Sequence, residues 1–233
     1  GIFNRDTSTI RWPVGLLEGD LSITVSIHGI FEEKFGIPTF VDNDANAAVF
    51  GEEWYGRGLG VQHAIYLYSG NGCGFMINGQ IYRGATGVAG EIGHMAIDPN
   101  GKRCVCGLRG CLATLVGAQE LVEHTRELMP KFKKTSLVGA SLTIEAIEEA
   151  ALAGDALALF VVREAASSLG IAIAGLLNLM NPKLVIIGGG IARLGDVLLK
   201  PLRDVIRNRT LVSSLAAATV KTSELGPRSI AVG

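Results

Sequence analysis

Apolar residues recur at helical spacing over much of the chain, and short, continuous apolar runs lie between the helical segments. At 22–35 the apolar residues share one face of a helix, and Gly36 follows as a stop signal. Further helices are predicted at 45–55, 113–129, 143–153, 156–180 and 196–209. Strands are predicted at 39–41, 64–68, 75–77, 81–83, 184–187 and 218–222.

The order of these elements predicts the fold class. Strands alternate with helices, which is typical of an α/β protein with a partly parallel sheet. Asn78-Gly79 is the strongest hairpin signal in the chain and predicts one antiparallel pair. The segment 84–111 has no clear element and carries three of the four Cys, so we expect something other than a core to hold it.

Composition excludes several classes of protein. The chain is 48% hydrophobic and 18% charged, which excludes a disordered protein. Its net charge of −1 argues against a basic nucleic-acid-binding domain. The apolar run 165–180 is shorter than the roughly 20 residues of a spanning helix, so we interpret it as a core helix and expect no membrane contact. No secretory signal is visible at residues 1–6, and a cytoplasmic location is expected.

Four residues form the strongest local signal for a metal, namely His94, Cys104, Cys106 and Cys111. Three Cys and one His make a standard tetrahedral zinc set. Because such a set leaves no open position for water, the zinc is predicted to be structural. The alternative is three buried or redox-active cysteines.

The polar triplet at 42–44 ends a predicted strand and precedes a helix. Ligands in α/β proteins bind at such carboxyl ends of strands. Asp44 could serve as a general base on a substrate hydroxyl, with Asn43 donating to a neighbouring oxygen. Asp and Asn are also favoured helix N-caps, so any of the three residues could instead cap the helix at 45–55.

Two glycine-rich segments are candidate phosphate sites. Ser69–Gly74 follows a strand, and its backbone N–H groups, including those of Ser69, Gly70 and Gly72, could hold a phosphate. A tight hairpin bend is the alternative. Gly188, Gly189 and Gly190 follow a second strand and lead toward a helix, so they could border a nucleotide or form a flexible turn.

Glu91 lies three residues before the predicted zinc ligand His94. A carboxylate beside a metal-pinned loop is a good hydroxyl acceptor for a sugar. A solvated surface Glu is the alternative.

Taken together, four motifs resemble the ROK family of bacterial sugar kinases and sugar-responsive transcriptional repressors. They are VDNDANAA at 41–48, AGEIGH at 89–94, CVCGLRGCL at 104–112 and LVIIGGGI at 184–191. The resemblance implies an actin/hexokinase-like ATPase fold, a ribonuclease H-like α/β architecture of two lobes with sugar in the cleft. It implies 1–60 as the remainder of an incomplete N-terminal lobe and 61–233 as the C-terminal lobe, with a zinc loop at 89–112.

The resemblance also implies roles for the candidate residues. Asp44 matches the catalytic base and Asn43 a sugar contact, while Glu91 and His94 match further sugar contacts. The Ser69–Gly74 loop matches a phosphate loop, and Gly188–Gly190 matches the adenosine-side turn. A kinase would use ATP with Mg²⁺, whereas the zinc is structural in either branch. The family commonly forms dimers.

Two departures from the family pattern favour one of its branches over the other. The family's N-terminal phosphate loop of the Asp-x-Gly-x-Thr type is absent from the sequence. Ala113 stands where the family usually has a Glu that binds a sugar hydroxyl. We therefore expect the sugar-binding effector domain of a transcriptional regulator, which would contact DNA only through an upstream helix-turn-helix domain. An ATP-dependent hexose or N-acetylhexosamine kinase is the alternative.

Overall fold

The computed structural model describes residues 2–4, 9–11, 24–68, 72–139, 141–211 and 218–233. The strands are β1 (Ile2–Asn4), β2 (Thr9–Arg11), β3 (Thr24–Ser26), β4 (Ala64–Tyr68), β5 (Gly72–Ile77), β6 (Gln80–Tyr82), β7 (Leu184–Gly188) and β8 (Thr219–Thr222). The helices are α1 (Ile27–Phe35), α2 (Asp44–Tyr55), α3 (Ala113–Val116), α4 (Ala118–Leu128), α5 (Ile144–Leu152), α6 (Ala156–Met180), α7 (Asp196–Arg209) and α8 (Ser229–Val232).

The central sheet has five strands in the order β6-β5-β4-β7-β8. β4, β7 and β8 run parallel to one another. β5 pairs antiparallel with β4, and the predicted Asn78-Gly79 turn joins β5 to β6 in a hairpin. β1, β2 and β3 form a separate antiparallel sheet. The predicted α/β class with a partly parallel sheet is therefore confirmed.

Helices cover both faces of the central sheet because its strands are apolar on both sides. Along β4, Ile65 and Leu67 face a large core that includes α6 and α7. The intervening Ala64 and Tyr66 face a smaller core with α2. The sheet therefore lies between two helical layers, and its strand ends are the natural place for a site.

The apolar helix α6 has the length and composition to cross a membrane. It nevertheless packs against α4, α5 and α7, and half of its residues, including Leu169 and Ile173, are buried. The interpretation of this run as a core helix is confirmed.

Three predicted elements differ from the structure. Residues 24–26 of the predicted helix at 22–35 instead form β3, because they pair with β2, and residues 22–23 lie outside the described chain. The predicted strand at 39–41 is wrong, since no strand of the described chain lies beside it to accept its hydrogen bonds. The predicted helix at 113–129 is interrupted by the extended backbone of Gly117.

Asp155 begins α6 and ties it to the preceding loop. Its carboxylate accepts the Leu157 and Ala158 N–H groups at 3.0 and 3.1 Å. It also accepts the Ser136 N–H at 2.7 Å and the Thr135 and Ser136 hydroxyls. Burial raises the pKa of Asp155, but these hydrogen bonds outweigh it and hold the pKa below its usual range.

Asp155→Ala is expected to lower the free energy of unfolding by about 2–3 kcal/mol, because a helix cap and the loop contacts are lost together. Because the folded-state pKa is depressed, this stabilisation is present above the unfolded pKa of about 3.9 and is lost as pH falls through the folded value. Chemical denaturation at several pH values measures both effects. Asp204→Ala, on the exposed face of α7, is the matched control, and an equal loss there would contradict the assignment.

Candidate functional site

His94, Cys104, Cys106 and Cys111 come together in the structure, as the spacing predicts. One ligand atom from each lies within 4.8 Å of all the others. The Cys106 and Cys111 sulfurs are 3.7 Å apart, and the Cys104 sulfur lies 3.7 Å from His94 Nδ1. These are close to the roughly 3.8 Å edges of a tetrahedron with zinc–sulfur bonds of about 2.3 Å.

A short backbone ribbon holds three of these ligands in place. Arg103 and Arg109 are paired across it, and the Cys104 N–H donates to the Leu108 carbonyl at 2.8 Å. A methyl group at Gly110 would lie 1.5 Å from the Asp98 carbonyl oxygen, so only Gly allows the two segments to meet. The ribbon is thus folded around the cluster by its own hydrogen bonds.

The chemistry of the donor set fits a divalent cation such as zinc. Burial, together with the neighbouring sulfurs of Cys106 and Cys104, raises the pKa of the Cys111 thiol to about 12. Three thiolates this close repel one another unless a cation neutralises them. The four residues could therefore hold a metal ion through His94 Nδ1 and three sulfurs.

The structure separates the two roles that the sequence leaves open at 42–44. Asn43 is the N-cap of α2, because its side-chain oxygen accepts the Ala45 N–H at 2.8 Å and the Asn46 N–H at 3.4 Å. Asp44 is the first residue of the helix and is exposed, and its carboxylate accepts only the adjacent Ala45 N–H within the described residues. The cap is therefore Asn43, and the Asp44 carboxylate stays accessible to a ligand.

Close glycine contacts bring the candidate segments to one end of the sheet. A methyl group at Gly74 would lie 2.2 Å from the Ala45 carbonyl, so the start of β5 runs directly against the first turn of α2. A methyl group at Gly90 would lie 1.8 Å from the Cys73 carbonyl, so the segment carrying Glu91 runs against the same strand. These contacts lie at the carboxyl end of the parallel strands β4 and β7, where α/β proteins bind ligands.

Glu91 directly precedes a single 3-10 turn, Ile92–His94, and His94 is the last residue of that turn. The His94 N–H donates to the Glu91 carbonyl at 3.1 Å, which keeps the two residues together. Both are exposed, and the Glu91 side chain makes no hydrogen bond to another described residue. The carboxylate is thus free for a ligand beside the metal cluster.

Gly188, the first residue of the second glycine segment, is required for close packing. Gly188 ends β7 opposite Tyr68, and a methyl group there would lie 1.7 Å from the Tyr66 hydroxyl oxygen. Gly189 has φ of +74°, and Gly190 begins a 3-10 turn beside Glu148. Of the first glycine loop, Gly72 begins β5, whereas Ser69 and Gly70 lie outside the described residues.

A polar cluster near α2 is not apparent in the sequence. Arg83, just after β6, forms an ion pair with Asp42, and the Asn46 amide donates to Asp42 at 2.9 Å. Burial raises the pKa of Asp42, but the hydrogen bonds from Arg83, Asn46 and the Asn43 N–H outweigh it and hold the pKa below its usual range. The cluster holds the segment before Asp44 against the β5–β6 hairpin. The only sign of it in the sequence is that Asp42 lies close to the candidate base Asp44.

Comparison with known proteins identifies the relatives of this chain. The ROK family model matches residues 23–233. The chain is 31% identical to the xylose repressor of Caldicellulosiruptor bescii over its whole length, and it spans 59% of that repressor. It is 38% identical to the glucokinase of Halalkalibacterium halodurans, a match that covers 97% of this chain and 70% of the glucokinase.

A solved structure gives the same result for the fold. A ROK family transcriptional regulator, a homologue of the Escherichia coli MLC protein, superimposes with a TM-score of 0.87 at 29% identity. The match covers 100% of this chain and 59% of the regulator. The fold is therefore the actin/hexokinase-like α/β fold of these structures, and the chain belongs to the ROK family.

Proposed function

We propose that this chain is the sugar-binding effector domain of a ROK transcriptional regulator. Hydroxyl-rich ligands are held by carboxylate, amide and imidazole groups that converge on one cleft. Asn43, Asp44, Glu91 and His94 supply such groups on two segments that both pack against β5. This packing supports a shared role for the four residues in contacting a sugar.

A zinc ion in the Cys₃His cluster would have a structural role in this proposal. All four coordination positions would be filled by protein, which leaves none for a substrate. Bound zinc would cross-link Cys104, Cys106 and Cys111 to the turn that carries Glu91 and His94. The ion would thus fix the position of two candidate sugar contacts.

Ala113 is the observation that favours a regulator over a kinase. It begins α3 directly after Cys111 and Leu112, where the family resemblance leads us to expect a sugar-binding Glu. Alanine has no group that can hold a hydroxyl, and a lost charge-assisted hydrogen bond costs about 1.5–3 kcal/mol. An enzyme would lose substrate affinity by this change, whereas a sensor for a different or weakly bound sugar can tolerate it.

Ala113→Glu is expected to increase the affinity for a hexose by about 10- to 150-fold, by supplying the missing hydrogen-bond acceptor. Titration calorimetry with pentoses, hexoses and N-acetylhexosamines measures the change. Ala118→Glu, on an exposed position of the following helix, is the matched control. An unchanged affinity in Ala113→Glu would show that position 113 does not face the sugar.

A sugar kinase is the second candidate, because the accessible Asp44 carboxylate lies beside the glycine-rich start of β5. Such a carboxylate can accept the proton of a sugar hydroxyl during phosphoryl transfer from ATP with Mg²⁺. An apolar cavity of about 200 Å³ next to Gly190 and Ile191 could receive the adenosine end. Gly188–Gly190, Gly72, Ser69 and Gly70 would then border the nucleotide.

The kinase candidate has its own test. Incubation of the full-length protein with Mg-ATP and a hexose panel would yield sugar phosphate, detected by mass spectrometry. Asp44→Asn would abolish the product while leaving the fold intact, because the Asn43 cap is retained. Phosphorylation that depends on Asp44 would overturn the regulator proposal.

The remaining assignments follow from the same proposal. Residues 1–60 would belong to the N-terminal lobe and 61–233 to the C-terminal lobe, with the zinc loop at 89–112. A regulator of this type would act in the cytoplasm as a dimer and contact DNA through a separate domain. No membrane contact is proposed.

A further inference from the structure

Cys106 is the one exposed cysteine of the four in the chain. Cys104 and Cys111 of the same cluster are only 6% and 0% exposed. The difference follows from the backbone of the ribbon, which reverses direction around Cys106. The Gly107 N–H donates to the Cys104 carbonyl at 2.9 Å, and the Cys104 N–H donates to the Leu108 carbonyl at 2.8 Å. Cys106 therefore lies at the tip of a closed turn, where solvent reaches it.

This exposure decides which sulfur a dissolved oxidant attacks. The reactivity of a cysteine toward hydroperoxides depends on its thiolate character and on its access to solvent. Cysteines that ligate a metal do so as thiolates, so access is what separates the three ligands. We expect Cys106 to react first and the two buried sulfurs to be protected from direct attack.

Cys111 is positioned to close a disulfide with an oxidised Cys106. Their sulfurs are 3.7 Å apart, and a disulfide bond is about 2.05 Å long, so the two sulfurs have to approach by roughly 1.7 Å. The residues between them include Gly107 and Gly110, whose φ values of +92° and +66° allow the chain to turn tightly.

The cluster connects this exposed sulfur to the turn that carries Glu91 and His94. His94 and the three cysteines share one site, in which every ligand atom lies within 4.8 Å of the others. A disulfide between Cys106 and Cys111 would remove two of the four ligands, and two protein ligands are too few for a structural zinc site. The turn would then lose its cross-link to the ribbon.

We propose that Cys106 is a site of reversible oxidation by hydroperoxides, that Cys111 closes the disulfide, and that the reaction releases the metal from the cluster. The turn would then hold Glu91 and His94 less firmly, so oxidation would also weaken ligand binding at these two residues. This last step rests on the proposed sugar site, whereas the oxidation and the metal release do not.

The reaction transfers two electrons from the sulfurs to the peroxide. The Cys106 thiolate attacks one oxygen of the hydroperoxide, so an S–O bond forms, the O–O bond breaks, and the departing alkoxide or hydroxide takes a proton from solvent. The Cys111 thiolate then attacks the sulfur of the Cys106 sulfenic acid, so an S–S bond forms and the S–O bond breaks. The departing hydroxide takes a second proton and becomes water. A dithiol reductant restores both thiolates.

Zinc release and disulfide mapping test the oxidation. The zinc-loaded protein is treated with hydrogen peroxide, a chromogenic chelator measures released zinc against the untreated protein, and mass spectrometry of peptides locates the disulfide. We expect about one zinc ion per chain to be released, a disulfide between Cys106 and Cys111, and recovery after addition of a dithiol and zinc. Cys73→Ala is the control and should release zinc at the wild-type rate, because Cys73 is buried outside the cluster.

Cys106→His separates oxidation from the simple loss of a ligand. Imidazole also binds zinc but forms no disulfide, so this variant should release zinc at least about tenfold more slowly under peroxide. Brief alkylation of the wild-type protein is a second measurement that needs no variant, and Cys106 should be labelled at least about tenfold faster than Cys104 or Cys111. Equal labelling, a disulfide through Cys104, or equal zinc release from Cys106→His would each overturn the proposal.

Titration calorimetry tests the effect on the ligand site, with a sugar that binds the reduced protein. The oxidised protein is expected to bind that sugar at least about tenfold more weakly, and reduction in the presence of zinc should restore the affinity. Unchanged affinity in protein that has released its zinc would overturn the link to Glu91 and His94. A reduced protein that binds no sugar would instead contradict the proposed function, and the zinc-release result would stand without it.

Discussion

Cys111→Ser is expected to abolish zinc binding and to lower the free energy of unfolding by at least about 4 kcal/mol. Cys111 is fully buried, and its backbone pairs with that of Ala96 in an antiparallel β-bridge. Neither another side chain nor solvent can therefore take the place of its sulfur as a metal ligand. The segment 84–111 contributes few side chains to the core, and the metal would supply the cross-link that the core does not. Metal analysis and thermal unfolding of the purified variant measure the two effects.

Cys73 provides the control for this prediction. It is also buried, but it lies in β5 and outside the metal cluster. Cys73→Ala should therefore retain one zinc ion per chain, and chelation should destabilise it as it destabilises the wild-type protein. A Cys111→Ser protein that still carried stoichiometric zinc would contradict the assigned ligand set.

Gly90→Ala is expected to lower the free energy of unfolding by about 3–5 kcal/mol and to remove sugar binding. Gly90 has φ of +99°, which L-residues rarely adopt, and an added methyl group would lie 1.8 Å from the Cys73 carbonyl oxygen. The segment carrying Glu91 would have to move away from β5, so a candidate sugar contact would leave the cleft. Denaturant unfolding and calorimetry measure the two losses.

Gly60→Ala isolates the effect of backbone conformation from that of close packing. Gly60 also has a positive φ, of +71°, but a methyl group there would meet no atom of the described residues within 4 Å. It should cost about 1–2 kcal/mol and leave sugar binding unchanged. If Gly90→Ala were no more harmful than Gly60→Ala, the contact between the Glu91 segment and β5 would not matter for the site.

The elements that the sequence predicted well carry their own signals. The helices at 156–180 and 196–209 have the predicted bounds. The first begins at Asp155, whose side chain caps it, and ends at Asn181 in the left-handed conformation. The metal cluster could also be predicted, because three Cys and one His at this spacing are typical of a metal site. Such residues have to come together around the ion, whatever fold surrounds the segment 84–111.

The errors arose where tertiary contacts decide the structure. The apolar residues of α1 share one face as the pattern indicates, yet Ile30 and Phe31 are about half-exposed, and no residue of α1 is buried within the described part of the chain. Residues 39–41 do have high β-propensity, but a strand also needs a neighbouring strand to pair with. The ion pair between Asp42 and Arg83 joins residues far apart in sequence, so no local pattern could predict it.

Titration calorimetry of a sugar panel in the presence of Mg-ATP tests most simply whether this chain binds a sugar without phosphorylating it. We expect at least one sugar to give a saturable isotherm with about one site per chain, and Asp44→Asn to weaken that binding. Continuous heat from ATP turnover with any sugar, or no binding heat from every sugar in the panel, would show that the chain is not a non-catalytic sugar-binding domain.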